Sequence, residues 1–200
     1  MKKRIVLATG NQDKVKEIVE ILKNPDIELL TLEDFPGAPE VVEDGETLEE
    51  NALKKARVIF EFTQLPAVSD DTGLEVEYLN GAPGVYSSRY SGENATYADN
   101  VKKLLGALQG VPPGKRQARF RCVVALYSEN DTRIVEGICE GEITEQSRGN
   151  GGFGYDPVFF VPAQGCTFAE MDLNVKNKTS HRAKAFLKLR NLLENKEFKF

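Results

Sequence analysis

The sequence has no tryptophan, one histidine, two methionines and three cysteines in 200 residues. Cys122, Cys139 and Cys166 are odd in number and show neither CxxC nor Cys/His spacing. That pattern argues against a disulfide scaffold or a zinc site and fits reduced thiols in a cytoplasm. A single histidine means that any Ser-His-Asp or Cys-His mechanism would have to use His181, and no nucleophile elbow is present. No apolar run approaches the length that spans a bilayer. Met1-Lys2-Lys3-Arg4 is basic, but it runs straight into a short strand-like segment without the long apolar region of a signal peptide. The net charge of −5 disfavours a general nucleic-acid coat protein, though a local basic pocket for one small polyanion remains open. There is no internal repeat, low-complexity tract or linker, so one domain spanning 1–200 is the default for this length.

What is present centres on Val68-Ser69-Asp70-Asp71-Thr72-Gly73-Leu74. An apolar lead-in reads as a buried strand, and Gly73 would let the chain turn. Two adjacent carboxylates repel each other unless a cation lies near, and hard oxygen ligands suit Mg²⁺ together with substrate phosphates. By itself the stretch also fits a solvated turn with an Asp-rich helix cap.

The chain opens strand–loop–helix. Ile5-Val6-Leu7-Ala8 is an apolar run, Thr9-Gly10-Asn11-Gln12-Asp13-Lys14 breaks it, and Val15, Ile18, Val19 and Leu22 follow at helical spacing. Such a loop aims backbone N–H groups and a helix N-terminus at an anion, with Lys14 adding charge. It lacks the Walker pattern and equally fits a plain capping loop. Residues 27–32 read as a second strand. A Pro/Gly/acid-rich connection follows, in which Glu43 has no advantage over Glu40, Asp44 or Glu46 as a metal ligand. Thr47-Leu48-Glu49-Glu50 is a capping box opening a helix to about Phe62, with Ala52, Ala56, Ile59 and Phe60 on its apolar face. Lys54, Lys55 and Arg57 fall on its other faces, where most such charges are solvated.

Residues 81–92 carry too many turn formers to be one element. Thr96 begins a third helix with Val101, Leu104, Leu105 and Leu108 at helical spacing. Residues 119–127 alternate, with Phe120, Cys122, Val124 and Leu126 on one face. With residues 133–143 they form a hairpin, so the sheet is mixed. In Gly151-Gly152-Phe153-Gly154-Tyr155-Asp156-Pro157, an exposed Phe153 could stack on a flat ligand, or the segment is a tight turn with core aromatics. Ser180 is a natural N-cap for a last helix striped by Phe186, Leu189 and Leu193. His181 and Arg182 then sit in its first turn. Cations there are mildly misplaced, which hints at an anionic or carbonyl-bearing ligand.

Together, Thr9-Gly10-Asn11-x-x-Lys14, Asp70-Asp71-Thr72-Gly73-Leu74, Gly81-Ala82-Pro83-Gly84, Gly151 to Pro157 and Ser180-His181-Arg182, in this order, closely resemble the inosine/xanthosine triphosphate pyrophosphatase family. The resemblance runs from about Ile5 to the last helix. It implies an α/β fold with a long twisted mixed β-sheet flanked by helices, and two lobes with a central cleft. It also implies a cytoplasmic, Mg²⁺-dependent homodimer that converts ITP, dITP or XTP to the monophosphate and pyrophosphate. By position, Thr9, Gly10, Asn11, Gln12, Asp13 and Lys14 resemble the triphosphate loop. Glu43 and Asp71 resemble the metal ligands, with Asp71 also the general base and Thr72 beside the substrate. Lys55 resembles a lysine facing the phosphates. Phe153, Gly154, Tyr155 and Asp156 resemble the base-stacking segment, and Lys176, His181 and Arg182 the residues around the purine 6-oxo edge. The competing readings are a related pyrophosphatase with another base preference and a nucleotide-binding protein without turnover.

Overall fold

In the computed structural model, which describes residues 2–200, β1 (Lys3–Leu7) leads through the Thr9 loop into α1 (Gln12–Ile21). β2 (Ile27–Thr31), α2 (Leu48–Thr63), β3 (Ala67–Val76), β4 (Pro83–Gly84) and α3 (Tyr97–Ala107) follow. β5 (Gln117–Tyr127) and β6 (Thr132–Ile143) are joined by a turn in which Ser128 N–H donates to the Asp131 carbonyl at 2.9 Å, so they form the expected hairpin. β7 (Phe159–Val161), β8 (Cys166–Thr167), α4 (Leu173–Thr179) and α5 (His181–Glu194) complete the chain.

One eight-stranded mixed sheet has the order β2-β1-β3-β5-β6-β7-β8, with β4 paired to β3. β1 is parallel to both β2 and β3. β4 is antiparallel to β3, and β7 is antiparallel to both β6 and β8. The fold is therefore mixed α/β, as the resemblance implied, and the sheet is mixed, as the hairpin reading required.

The chain divides into two compact units. Unit 1 comprises residues 1–71, 122–137 and 181–200, and unit 2 comprises 72–121 and 138–180. In unit 1, Ile5 and Leu7 of β1 pack with Ile18, Ile21 and Leu22 around α1 and with Phe186, Leu189 and Leu193 of α5. Val6 and Ala8 point the other way, onto Ile59 of α2 and Ala67. A parallel strand covered on both faces must be apolar throughout, which is why residues 5–8 carry no polar alternation. In unit 2, Leu74 and Val76 pack with Leu104 and Leu108 of α3 and with Phe120, Phe159 and Phe168. Phe120 and Phe159 meet edge to face, with centroids 4.7 Å apart.

Three expectations need correction. The Asp70-Asp71-Thr72-Gly73 stretch is not a strand end opening into a turn, because β3 runs unbroken from Ala67 to Val76. Gly73 instead permits close approach of β4, since a Cβ there would lie 2.8 Å from the Gly84 carbonyl oxygen. In α1, Val19 is exposed while Glu17 is buried, because the inward face carries a charged contact described below. In β5, Val123 and Ala125 are as buried as Cys122, Val124 and Leu126, so the strand is covered on both sides and the apparent alternation holds only near its start.

Candidate active site

The expected residues gather in two clusters, one in each unit. In unit 1, Asn11 caps α1: its side-chain oxygen accepts from Asp13 N–H at 3.0 Å and Lys14 N–H at 3.2 Å. The Thr9 hydroxyl accepts from Asn11 N–H at 3.2 Å. A Cβ at Gly10 would meet nothing within 4 Å, so the loop is open at that point. Gln12 reaches Glu33 at 3.0 Å, and Asp13 faces Lys16 at 3.8 Å. Lys14 points inward, with its ammonium 3.0 Å from Asp70 Oδ2.

Asp70 is fully buried and is the hub of the cluster. Its Oδ2 also lies 3.4 Å from the Arg182 guanidinium, which donates in turn to Glu17 at 2.7 Å. Burial opposes ionisation of Asp70, but Lys14, Arg182 and Lys55 outweigh it and hold the carboxyl far below the usual carboxylate range. Burial likewise works against the Lys14 ammonium. Asp70, with smaller help from Asp71 and Glu43, overcomes both burial and the repulsion of Arg182, and the Lys14 pKa is raised.

Asp71 is in the opposite state. Burial pushes its pKa up and the neighbouring Glu43 charge adds to this, against the pull of Lys55, Lys14 and a hydrogen bond from Asn51. The spacing of Asn51, Lys55 and Ile59 at every fourth residue puts two polar groups on the buried stripe of α2. The Lys55 ammonium donates to the Asp70 carbonyl at 2.7 Å and to the Glu43 carboxylate, and stands 4.0 Å from Asp71 Oδ1. Asp44 turns to Lys54 at 2.5 Å, so of the acids in that connection Glu43 is the one at Lys55. Ser69 donates to the Ala52 carbonyl and ties β3 to α2.

Among the described residues, no three His, Cys, Asp or Glu side chains are arranged as a metal cluster. The donor chemistry nevertheless fits Mg²⁺, which takes one or two carboxylates and completes its shell with water and phosphate. Glu43 and Asp71 supply such carboxylates, and burial, with the Glu43 charge adding to it, raises the Asp71 pKa in the absence of a cation.

In unit 2, Asp156 accepts from the Lys176 ammonium at 2.6 Å and from Phe153 N–H at 2.9 Å. Lys176 is buried, and its Nζ lies 5.0 Å from the Phe153 ring centroid. Phe153 is half-buried and sits 6.0 Å from the Tyr97 ring, whereas Tyr155 is a core residue whose hydroxyl donates to the Ser87 carbonyl at 2.9 Å. The aromatic pair therefore splits between the two readings of that segment. Gly154 adopts φ +60, a backbone that side chains rarely take. Thr72, half-buried in β3, belongs to this unit as well.

His181 and Arg182 are buried at the start of α5 and belong to unit 1. The misplaced cation there finds carboxylates within the chain, Glu17 and Asp70. Sequence reasoning missed Glu17 and Asn51. Glu17 left no local signal, while Asn51 could have been found as a polar residue on the apolar stripe of α2.

Residues 5–192 match the Ham1 family model. The chain belongs to the Ham1 family. A dITP/XTP pyrophosphatase of Geobacter sulfurreducens is 52% identical over 191 residues, covering 95% of this chain and 96% of that protein. A dITP/XTP pyrophosphatase of Desulforamulus reducens is 50% identical over 191 residues, covering 95% of each. The structure of a HAM1 protein from Coxiella burnetii superposes with a TM-score of 0.88 at 44% identity, covering 96% of this chain and 99% of that one. The Ham1 fold thus accounts for nearly the whole chain.

Proposed function

We propose that this Ham1-family chain hydrolyses non-standard purine nucleoside triphosphates (ITP, dITP and XTP) to the monophosphate and pyrophosphate, with Mg²⁺, and so clears them from the nucleotide pool. The observation that carries this reading is the convergence of Lys14, Lys55, Glu43, Asp70 and Asp71 in unit 1, in a chain about half identical to proteins named dITP/XTP pyrophosphatase. The resemblance also supports a homodimer as the working form.

Pyrophosphate release needs charge neutralisation, an attacking water and a base. Lys14 and Lys55 carry the cations that offset charge on the phosphates. Asn11 and the first turn of α1 offer backbone N–H groups suited to phosphate oxygens. Asp71, whose pKa is raised while Asp70 beside it stays ionised, is the carboxylate suited to take a proton from water. Glu43 and Asp71 would hold Mg²⁺, which when bound neutralises phosphate charge and lowers the pKa of its waters.

Base selection is assigned to Phe153, Asp156 and Lys176. Phe153 offers a ring to stack on, and Lys176, held by Asp156, offers N–H donors. Such donors pair with a 6-oxo group but meet adenine's 6-amino group donor to donor. An unpaired buried polar group costs about 1–3 kcal/mol, a preference of roughly 5-fold to 150-fold. The test is pyrophosphate release from ITP, dITP, XTP, GTP and ATP, with Mg²⁺ and with EDTA. The expected outcome is turnover of the first three well above ATP, abolished by EDTA. Equal turnover of ATP, or full activity in EDTA, would overturn the reading.

A further inference from the structure

We propose that Asn51 is the positioning residue that fixes the Asp71 carboxylate and the loop carrying Glu43 in one arrangement, and so controls turnover rather than substrate binding. The inference rests on the function proposed above and deepens it. Asn51 is 1% exposed and lies in the first turn of α2, one turn before Lys55. Its two amide ends have different duties. The Nδ2 donates to Asp71 Oδ2 at 3.0 Å, in a buried contact. The Oδ1 accepts from Gly45 N–H at 2.8 Å. One planar group therefore joins β3, α2 and the connection in which Glu43 stands two residues before Gly45.

The amide also gives the oxygens of Asp71 separate tasks. Oδ2 is the one bonded to Asn51, and Oδ1 is the one 4.0 Å from Lys55. Rotation that exchanged the two oxygens would break the Asn51 hydrogen bond, so the bond favours presenting Oδ1 to the reacting centre. Groups that orient a ligating or reacting carboxylate in this way typically cost 10–100-fold in activity or metal affinity when removed.

The backbone around Gly45 is built against this amide. A Cβ on Gly45 would lie 2.7 Å from Asn51 Oδ1 and 2.9 Å from Glu50 Cβ. Glu50 holds the next two residues, accepting from Glu46 N–H at 2.7 Å and Thr47 N–H at 3.3 Å. The connection is thus tied down at three successive N–H groups, and the tie through Asn51 continues to Asp71. No part of this bears on Phe153, Asp156 or Lys176, so nucleotide affinity should stay largely unchanged when Asn51 is altered.

The test uses the 200-residue chain and two variants. Asn51→Asp keeps an acceptor for Gly45 N–H but cannot donate to Asp71. Gly45→Ala leaves both carboxylates and the amide in the sequence and pushes the amide aside. For each, kcat and KM for ITP, the midpoint of Mg²⁺ dependence and the thermal melting temperature are measured beside the wild type. Both variants are expected to lose about 10–100-fold in kcat, to change KM for ITP by less than about threefold, and to need about tenfold or more Mg²⁺. Wild-type kcat in a folded Asn51→Asp protein overturns the proposal. If Asn51→Asp does not fold, Gly45→Ala decides alone: an unchanged kcat and Mg²⁺ midpoint overturn the proposal, and the expected losses sustain it. A loss of activity matched by the fraction unfolded, with wild-type kcat per folded molecule, also overturns it. Failure of the wild type itself to turn over ITP would instead sink the proposed function.

Discussion

Asp70 holds the charge that the buried cations of unit 1 answer to. Lys14 at 3.0 Å and Arg182 at 3.4 Å share its Oδ2, with Asp70 and Arg182 buried and Lys14 only partly exposed. Asp70→Asn removes the carboxylate that Lys14 and Arg182 share and leaves Arg182 with Glu17 alone, which should cost about 2–4 kcal/mol in the metal-free protein, below the full cost of orphaning a buried charge. The sign with pH follows from the depressed pKa. The contribution of Asp70 is complete above the unfolded-state value of about 3.9 and is lost as the pH falls below it. Chemical denaturation between about pH 7 and pH 3 checks this. The wild type should lose stability below about pH 4 while Asp70→Asn stays flatter, and a variant within about 0.5 kcal/mol of the wild type at neutral pH would contradict it. At this scale the sequence revealed the adjacent carboxylates and the resemblance pointed to Lys55. It did not reveal Glu17, whose partner Arg182 is 165 positions away. A buried ion pair leaves no local pattern when its halves come from opposite ends of the chain.

Each candidate side chain is placed by the local physics of its element. α2 begins at a capping box, with Thr47 Oγ1 accepting from Glu50 N–H at 3.1 Å and Glu50 accepting from Thr47 N–H. That box was readable as Thr47-x-x-Glu50, and it sets the phase that turns Asn51 and Lys55 inward. Thr47→Ala should lower stability by about 1 kcal/mol, read as a shift of the urea midpoint at constant slope, and no shift would show that the cap is idle. β3 was harder to read. Gly73 suggested a turn, but its use is to admit the Gly84 backbone, and a close approach by a partner strand is a tertiary fact that residue type alone does not announce. The stripe on α1 was misjudged for a similar reason, because Glu17 faces inward only where Arg182 meets it.

For the molecule as a whole, two of the four places where the chain passes between its units fall in motifs that carried the resemblance. The chain passes between units at Asp71 and Thr72, again at Arg121 and Cys122, at Gly137 and Ile138, and finally at Ser180 and His181. The first and last crossings fall inside the Asp70-to-Leu74 and Ser180-to-Arg182 motifs. Local periodicity made the single elements and the hairpin that mixes the sheet legible, while the α/β class came with the resemblance. The boundaries of the two units were not legible in residue patterns, because they depend on contacts between segments far apart in sequence. In the chemistry proposed for this Ham1-family chain, Asp71 is the residue on which turnover depends, a carboxyl whose pKa burial pushes up beside the ionised Asp70. The most direct measurement is the rate of pyrophosphate release from ITP by Asp71→Asn, alongside equilibrium binding of ITP. The account predicts a loss in rate on the order of 10³-fold with binding largely kept, and turnover equal to the wild type would contradict it.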